Sequence, residues 1–149
     1  MKEYTVKVKN GEDLPFDQVV DLYNNLRWYA YTNEKQVGKL QDALNNSTYI
    51  VTAWKEDLLI GMARCLSDDV SIFYLQDILI HPDHQRKGLG RDLLQNCLNR
   101  FEHVKTKMLL TGDEAKQKTF YESLGYKNTK ECVKVKLNAF VIINDVDLG

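Results

Sequence analysis

The sequence predicts a mixed α/β domain, and three observations carry that reading. Strand-like runs alternate with amphipathic helical stretches along the whole chain. One apolar run, Ile72–Ile80, passes through a glycine-containing turn straight into an amphipathic helix. The 149 residues, 44% hydrophobic and 28% charged, match the size and make-up of one compact core. No linker, internal repeat or low-complexity segment interrupts them, so a single domain over residues 1–149 is expected.

Residues 3 to 9 alternate as a first strand, and Gly11 to Pro15 form a turn into a helix that buries Phe16, Val19, Val20, Leu22, Tyr23 and Leu26. A second helix follows Thr32-Asn33-Glu34 and uses Val37, Leu40, Ala43 and Leu44. Tyr49 to Trp54 and Leu58 to Leu66, joined by the polar Lys55-Glu56-Asp57, read as an antiparallel hairpin. Ile72–Ile80 is the next strand, stopped at Pro82. After Gln85-Arg86-Lys87-Gly88-Leu89-Gly90, a helix places Leu89, Leu93, Leu94, Cys97, Leu98 and Phe101 on one side. Lys107 to Thr111 is a short fifth strand. Glu114 to Leu124 form a helix closed by Gly125, with Asp113 in the place of its cap. The tail from Tyr126 to Ile143 reads as one or two further strands, since Cys132 to Leu137 alternate.

Composition narrows the function. A net charge of −1 without a basic run argues against nucleic acid. The three cysteines, Cys65, Cys97 and Cys132, form no C-x-x-C pair and no zinc spacing, so reduced thiols and no metal are expected. No apolar run reaches the roughly 18 residues of a membrane span, and the amino terminus alternates instead of resembling a signal peptide, which makes the cytoplasm the expected compartment.

The turn at residues 85–90 carries the chemistry. A helix start presents unpaired amides and a partial positive charge to an anion on its axis. Glycines allow close approach, and Arg86 and Lys87 add mobile cations suited to more than one phosphate. The loop lacks the G-x-x-x-x-G-K-[ST] pattern of nucleotide-triphosphate enzymes.

Two segments resemble the GNAT superfamily of N-acetyltransferases. One is the Q/R-x-x-G-x-G/A loop after a strand that stops at His81-Pro82; the other, about thirty residues on, is Phe120-Tyr121-Glu122-Ser123-Leu124-Gly125-Tyr126-Lys127, similar to F-Y-E-x-L-G-F-x. The resemblance implies a single-domain GNAT-like fold: a mixed, mostly antiparallel central sheet flanked by about four helices, with splayed central strands. It implies acetyl-CoA as acyl donor, its pyrophosphate on the amides of Gln85, Arg86, Lys87, Gly88, Leu89, Gly90 and Arg91. The pantetheine would run along the backbone of Ile78, Leu79 and Ile80 as an added strand. Tyr121 matches the position whose hydroxyl faces the CoA sulfur, and a phenol with a pKa near 10 can protonate a departing thiolate.

The base is left open by the residues themselves. Gln76 stands where some relatives carry a glutamate, and it cannot take a proton. Asp77, expected on the opposite face from Gln76, is either the partner of a buried polar group or a base acting directly or through water. Glu114 replaces an asparagine that contacts pantetheine in many relatives. His81 and His84, near the loop, are expected to be solvated. Trp28, Tyr29 and Tyr31 serve core packing, a homodimer contact or the acceptor pocket. Asp68 and Asp69 could attract a cationic acceptor or simply form a solvated turn. The expected activity is transfer of an acetyl group to a primary amine of a small molecule or peptide; the alternative is a non-catalytic acyl-CoA-binding regulatory module on the same fold.

Overall fold

The computed structural model describes residues 3–149, which form two compact units, one extending to Leu110 and the other Thr111–Gly149. In the first unit, β1 (Thr5–Lys9), β2 (Tyr49–Lys55), β3 (Leu58–Ser67), β4 (Ile72–Ile80) and β5 (Thr106–Leu109) form one sheet in sequence order. The first three pairings are antiparallel, and β4 with β5 is parallel. The parallel pair needs a crossover, which α3 (Leu89–Arg100) provides.

Helices α1 (Phe16–Asn25) and α2 (Val37–Asn45) bury Val19, Leu22, Tyr23, Leu40 and Leu44 against Ile50, Trp54, Leu59, Met62 and Leu79 of the sheet. This is the face that the helical spacing marked, with Phe16, Val20 and Leu26 packed at its margin. Gly11 is needed where the chain passes α2, because a Cβ there would stand 2.3 Å from the Leu44 backbone. Helix α3 buries Leu89, Leu93, Leu94 and Cys97. Two phenols tie it to the sheet side: Tyr4 donates to Asp92, and Tyr49 donates to Asn96 at 2.9 Å. Cys65 and Cys97 are buried free thiols, and Cys132 is half-buried.

The second unit holds α4 (Ala115–Ser123), closed as expected at Gly125, whose φ of 99° is left-handed. The amide of Tyr126 returns to the Tyr121 carbonyl at 3.1 Å and that of Gly125 to Glu122 at 3.1 Å. Two expectations need correction here. Glu114, not Asp113, is the N-cap of α4, and no side chain caps it. The tail is not a strand: among the described residues, 126–149 hold only a 3₁₀ turn at Thr129–Glu131. Alternation alone cannot hold a strand without a ladder partner. Val133, Val135 and Leu137 are accordingly exposed, and Phe140 and Ile142 are 91% and 93% exposed. Smaller differences are at the ends, where the first strand starts at Thr5 and the fifth spans Thr106–Leu109.

Candidate active site

Strand β4 is paired with β5 only through Ile72–Leu75, opposite Thr106–Leu109. From Gln76 to Ile80 it has, among the described residues, no strand on that side, while Asp77–Ile80 keep their β3 partners on the other. This stretch is an open ladder edge containing Ile78, Leu79 and Ile80. At its far end the chain makes a 3₁₀ turn, Pro82–His84, and then enters α3 through Gly88.

The loop geometry is set by two left-handed residues, Arg86 (φ 64°) and Gly88 (φ 84°). Such a conformation costs a non-glycine residue on the order of 1 kcal/mol and is concentrated at functional turns. A Cβ on Gly88 would meet no atom within 4 Å, so the space beside Gly88 is open. Gln85, Arg86, Lys87 and Gly88 are exposed, Leu89 is buried in the core and Gly90 is half-buried. Gln85 closes the loop by donating from Nε2 to the Ile80 carbonyl at 3.1 Å. His81 Nδ1 accepts from the Asp83 amide at 3.1 Å, and burial with the neighbouring His81 and Lys87 holds the His84 pKa below its usual value. Both histidines are partly rather than fully solvated.

The middle of β4 departs from regular pleating. Arg64 faces Asp77 but Cys65 faces Leu75, leaving Gln76 as the extra residue of a bulge. The expectation that Gln76 and Asp77 lie on opposite faces is therefore corrected. Gln76 Nε2 donates to the Tyr31 hydroxyl at 3.2 Å, and Asp77 accepts from the Tyr23 hydroxyl at 2.6 Å. The two tyrosine rings lie 5.2 Å apart, so both side chains reach one aromatic pair.

Asp77 is 2% exposed and Arg64 5% exposed. The guanidinium holds Asp77 Oδ2 through Nε at 3.0 Å and Nη2 at 2.8 Å, while Nη1 reaches the Ser47 hydroxyl at 3.4 Å. Burial works against the Arg64 charge, but Asp77 outweighs it and the pKa is raised. Burial, reinforced by the Asp77 charge, also raises the Tyr23 pKa far above the usual phenol range. Asp77 thus has two buried polar partners, Arg64 and Tyr23. Arg64 and Tyr23 were not singled out from sequence, although a lone cation inside the apolar run Leu58–Leu66 is the same signal that drew attention to Asp77.

Trp28 and Tyr29 are 38% and 56% exposed, whereas Tyr31 is half-buried. Trp28 packs 6.2 Å and Tyr31 5.2 Å from Tyr23, which puts these two rings at the rim of the Tyr23–Asp77 cluster. Asp68 caps the turn after β3 by accepting from the amides of Val70, Ser71 and Ile72, and Asp69 pairs with Arg100 and His103. Both acids are thereby engaged in the turn.

In the second unit, Tyr121 is half-buried between Phe120, 5.1 Å away, and Tyr126, 6.0 Å away, both edge-on. Burial raises its pKa, and a hydrogen bond from Thr111 opposes that shift. The phenol stays protonated at neutral pH.

Residues 18–141 match the family model of the acetyltransferase (GNAT) domain. The chain belongs to the GNAT acetyltransferases. This family of enzymes includes a ycf52-like N-acetyltransferase of Prochlorococcus marinus, itself uncharacterized, that is 27% identical over 128 residues, covering 83% of this chain and 69% of the relative. The chain spans about two thirds of the length of such curated relatives. A GNAT-family acetyltransferase from Streptococcus pneumoniae superposes with a TM-score of 0.77 at 27% identity, over 96% of this chain and 99% of the other. The GNAT fold is also shared with the aminoglycoside N-acetyltransferase AAC(6')-Iy in complex with CoA, at a TM-score of 0.66 and 11% identity over 96% and 95% of the two chains. Among the described residues, no helix is long and apolar enough to cross a membrane.

Proposed function

We propose that the chain transfers an acetyl group from acetyl-CoA to a primary amine, with residues 1–149 acting as a single domain. The carrying observation is the continuity of the open β4 edge, Gln76–Ile80, with the glycine-opened start of α3. An elongated ligand with amides along one half and phosphates at the other fits that sequence of groups. The edge offers ladder hydrogen bonds, and the helix start offers amides with Arg86 and Lys87 beside them. No metal is required for this binding, because the helix-end amides and the two side-chain cations meet the phosphate charge.

In this reading the amine, as free base, attacks the thioester carbonyl carbon. A C–N bond forms, the C–S bond breaks and the thiolate leaves with its electron pair. Tyr121, kept protonated by burial, gives its proton to that sulfur and regains one from solvent. The ammonium proton of the product side passes to water, since Gln76 cannot accept it and Asp77 is committed to Arg64 and Tyr23. Asp77 is then an anchor for the bulge, and Trp28, Tyr29 and Tyr31 face the acceptor side.

The test is acetyl-CoA binding by calorimetry together with thiol release over a panel of amines. Tyr121→Phe should keep cofactor affinity and lose about 10²–10⁴-fold in kcat. Cofactor binding without thiol release for any amine would instead favour the acyl-CoA-binding module, a reading supported by the unprotonatable Gln76 at the strand split.

A further inference from the structure

The bulge at Gln76 sits where β4 and β5 part, the last paired residues being Leu75 and Leu109. Its carboxamide nitrogen donates to the Tyr31 oxygen at 3.2 Å. That bond uses only half of each group. The Gln76 carbonyl oxygen has no donor among the described residues, and the Tyr31 hydroxyl hydrogen has no acceptor among them. Burial, with the Asp77 charge behind it, raises the Tyr31 pKa, so the phenol remains a donor. Both side chains are half-buried, neither sealed in the core nor lost in solvent.

We infer that Gln76 and Tyr31 together select the acceptor: a primary amine bearing a hydrogen-bond-accepting oxygen on the adjacent carbon. This deepens the acetyl-transfer reading and rests on it, because that reading brings the thioester to the strand split. The amine N–H donates to the Gln76 carbonyl oxygen, and the neighbouring hydroxyl or carbonyl oxygen accepts from Tyr31. The two protein groups are locked to each other, so their spacing is fixed before the acceptor arrives. Tyr31 is held from behind by the Tyr23 ring, itself pinned by Asp77, which removes the freedom that would let the phenol turn away. A simple alkylamine satisfies the carbonyl and leaves the phenol unpaired, and a site built to hydrogen-bond an oxygen discriminates against the analogue without it. The shared chemistry has two sources, amino alcohols and α-amino amides such as a peptide amino terminus.

The experiment measures equilibrium binding to the full chain loaded with CoA, which cannot react. Phenylethanolamine and phenylethylamine form the first pair, differing only in the oxygen, and phenylalanine amide supplies the second source. Wild type should bind the oxygen-bearing members about tenfold tighter than phenylethylamine, the value of one neutral hydrogen bond. Tyr31→Phe should bring the pair to near equality by weakening the oxygen-bearing member alone. Equal binding of the pair by wild type, binding of neither, or unchanged discrimination in Tyr31→Phe overturns the inference; in the last case the phenol hydrogen is spent on Gln76. Replacing CoA by acetyl-CoA then reads the other claim separately, since discrimination without thiol release would refute acetyl transfer and leave the selecting pair standing.

Discussion

Asp77→Asn leaves the buried Arg64 guanidinium with neutral groups alone, the Ser47 and Tyr23 hydroxyls and an amide, in place of its carboxylate. Arg64 is 5% exposed, so water cannot replace the lost charge. Breaking a buried pair in this way costs about 3–5 kcal/mol, several times the value of an exposed pair. For a chain of this size each kcal/mol lowers the melting temperature by about 2–4 °C, so a fall of about 6–20 °C is expected. The double replacement Arg64→Met with Asp77→Leu removes both charges at similar volume but orphans the Tyr23 hydroxyl, so it should recover part of the loss and still show a favourable coupling in a double-mutant cycle. Urea unfolding at neutral pH, followed by far-ultraviolet circular dichroism, reads wild type, Asp77→Asn, the double variant and its two single replacements, Arg64→Met and Asp77→Leu. A loss below about 1 kcal/mol in Asp77→Asn, or a double variant equal to the sum of the singles, would show that the pair is no anchor. Kinetics separate the two roles independently. An anchor leaves the shape of the pH–rate profile unchanged, whereas a base loses most activity at low pH.

Thiol release in wild type should climb with pH as the amine, with a pKa of about 10.4, loses its proton, and should fall again only above the ordinary phenol range because burial raises the Tyr121 pKa; the same falling limb persisting in Tyr121→Phe would remove the acid role. Tyr23 has its folded-state pKa raised above the unfolded value of about 10, so the stability it contributes is complete below that pH and is lost as pH rises through the folded value. The urea midpoint should therefore fall above pH 10, and less steeply in Tyr23→Phe. Gly88→Val should fold, since its side chain enters open space, at a cost of about 1–2 kcal/mol for the left-handed backbone. Its acetyl-CoA affinity should drop about tenfold by calorimetry from loss of a phosphate contact, and an unchanged affinity would detach the loop from the ligand. Gly11→Ala drives a methyl to 2.3 Å from the Leu44 backbone and should lower stability by about 1–3 kcal/mol; an unaltered urea midpoint would contradict that contact.

What could be read from the sequence was what is encoded locally. The stretch from Ile72 to Arg100 was legible because strand, stop, glycine turn and amphipathic helix each carry their own composition, and the structure reproduces them nearly residue for residue. The Gln76 bulge was not legible, since it is a property of how two strands register and leaves no composition signal. Without it, strict alternation separated Gln76 from Asp77 and hid their common tyrosine pair. Arg64 and Asp77 were each visible as a charge in an apolar run, but their pairing depends on the antiparallel register of β3 with β4. The tail failed for the converse reason: Cys132–Leu137 has the alternation of a strand, and the described residues supply no ladder for it.

The open side of β4 from Gln76 to Ile80 also bears on the protein when no ligand is bound. A bare strand edge is a template on which another chain can polymerise, and natural sheets blunt such edges with charge, proline or a covering element. Here the edge run Gln76-Asp77-Ile78-Leu79-Ile80 contains one charge, already neutralised by Arg64, and no proline before Pro82. Among the described residues no strand pairs with this edge, and its run carries no uncompensated charge or proline. If an extended cofactor completes that ladder, the same binding event that supplies the acyl group also shields the surface from self-association. Cellular cofactor concentration would then govern solubility as well as turnover, and ligand linkage would tie the lifetime of the folded chain to its metabolic supply.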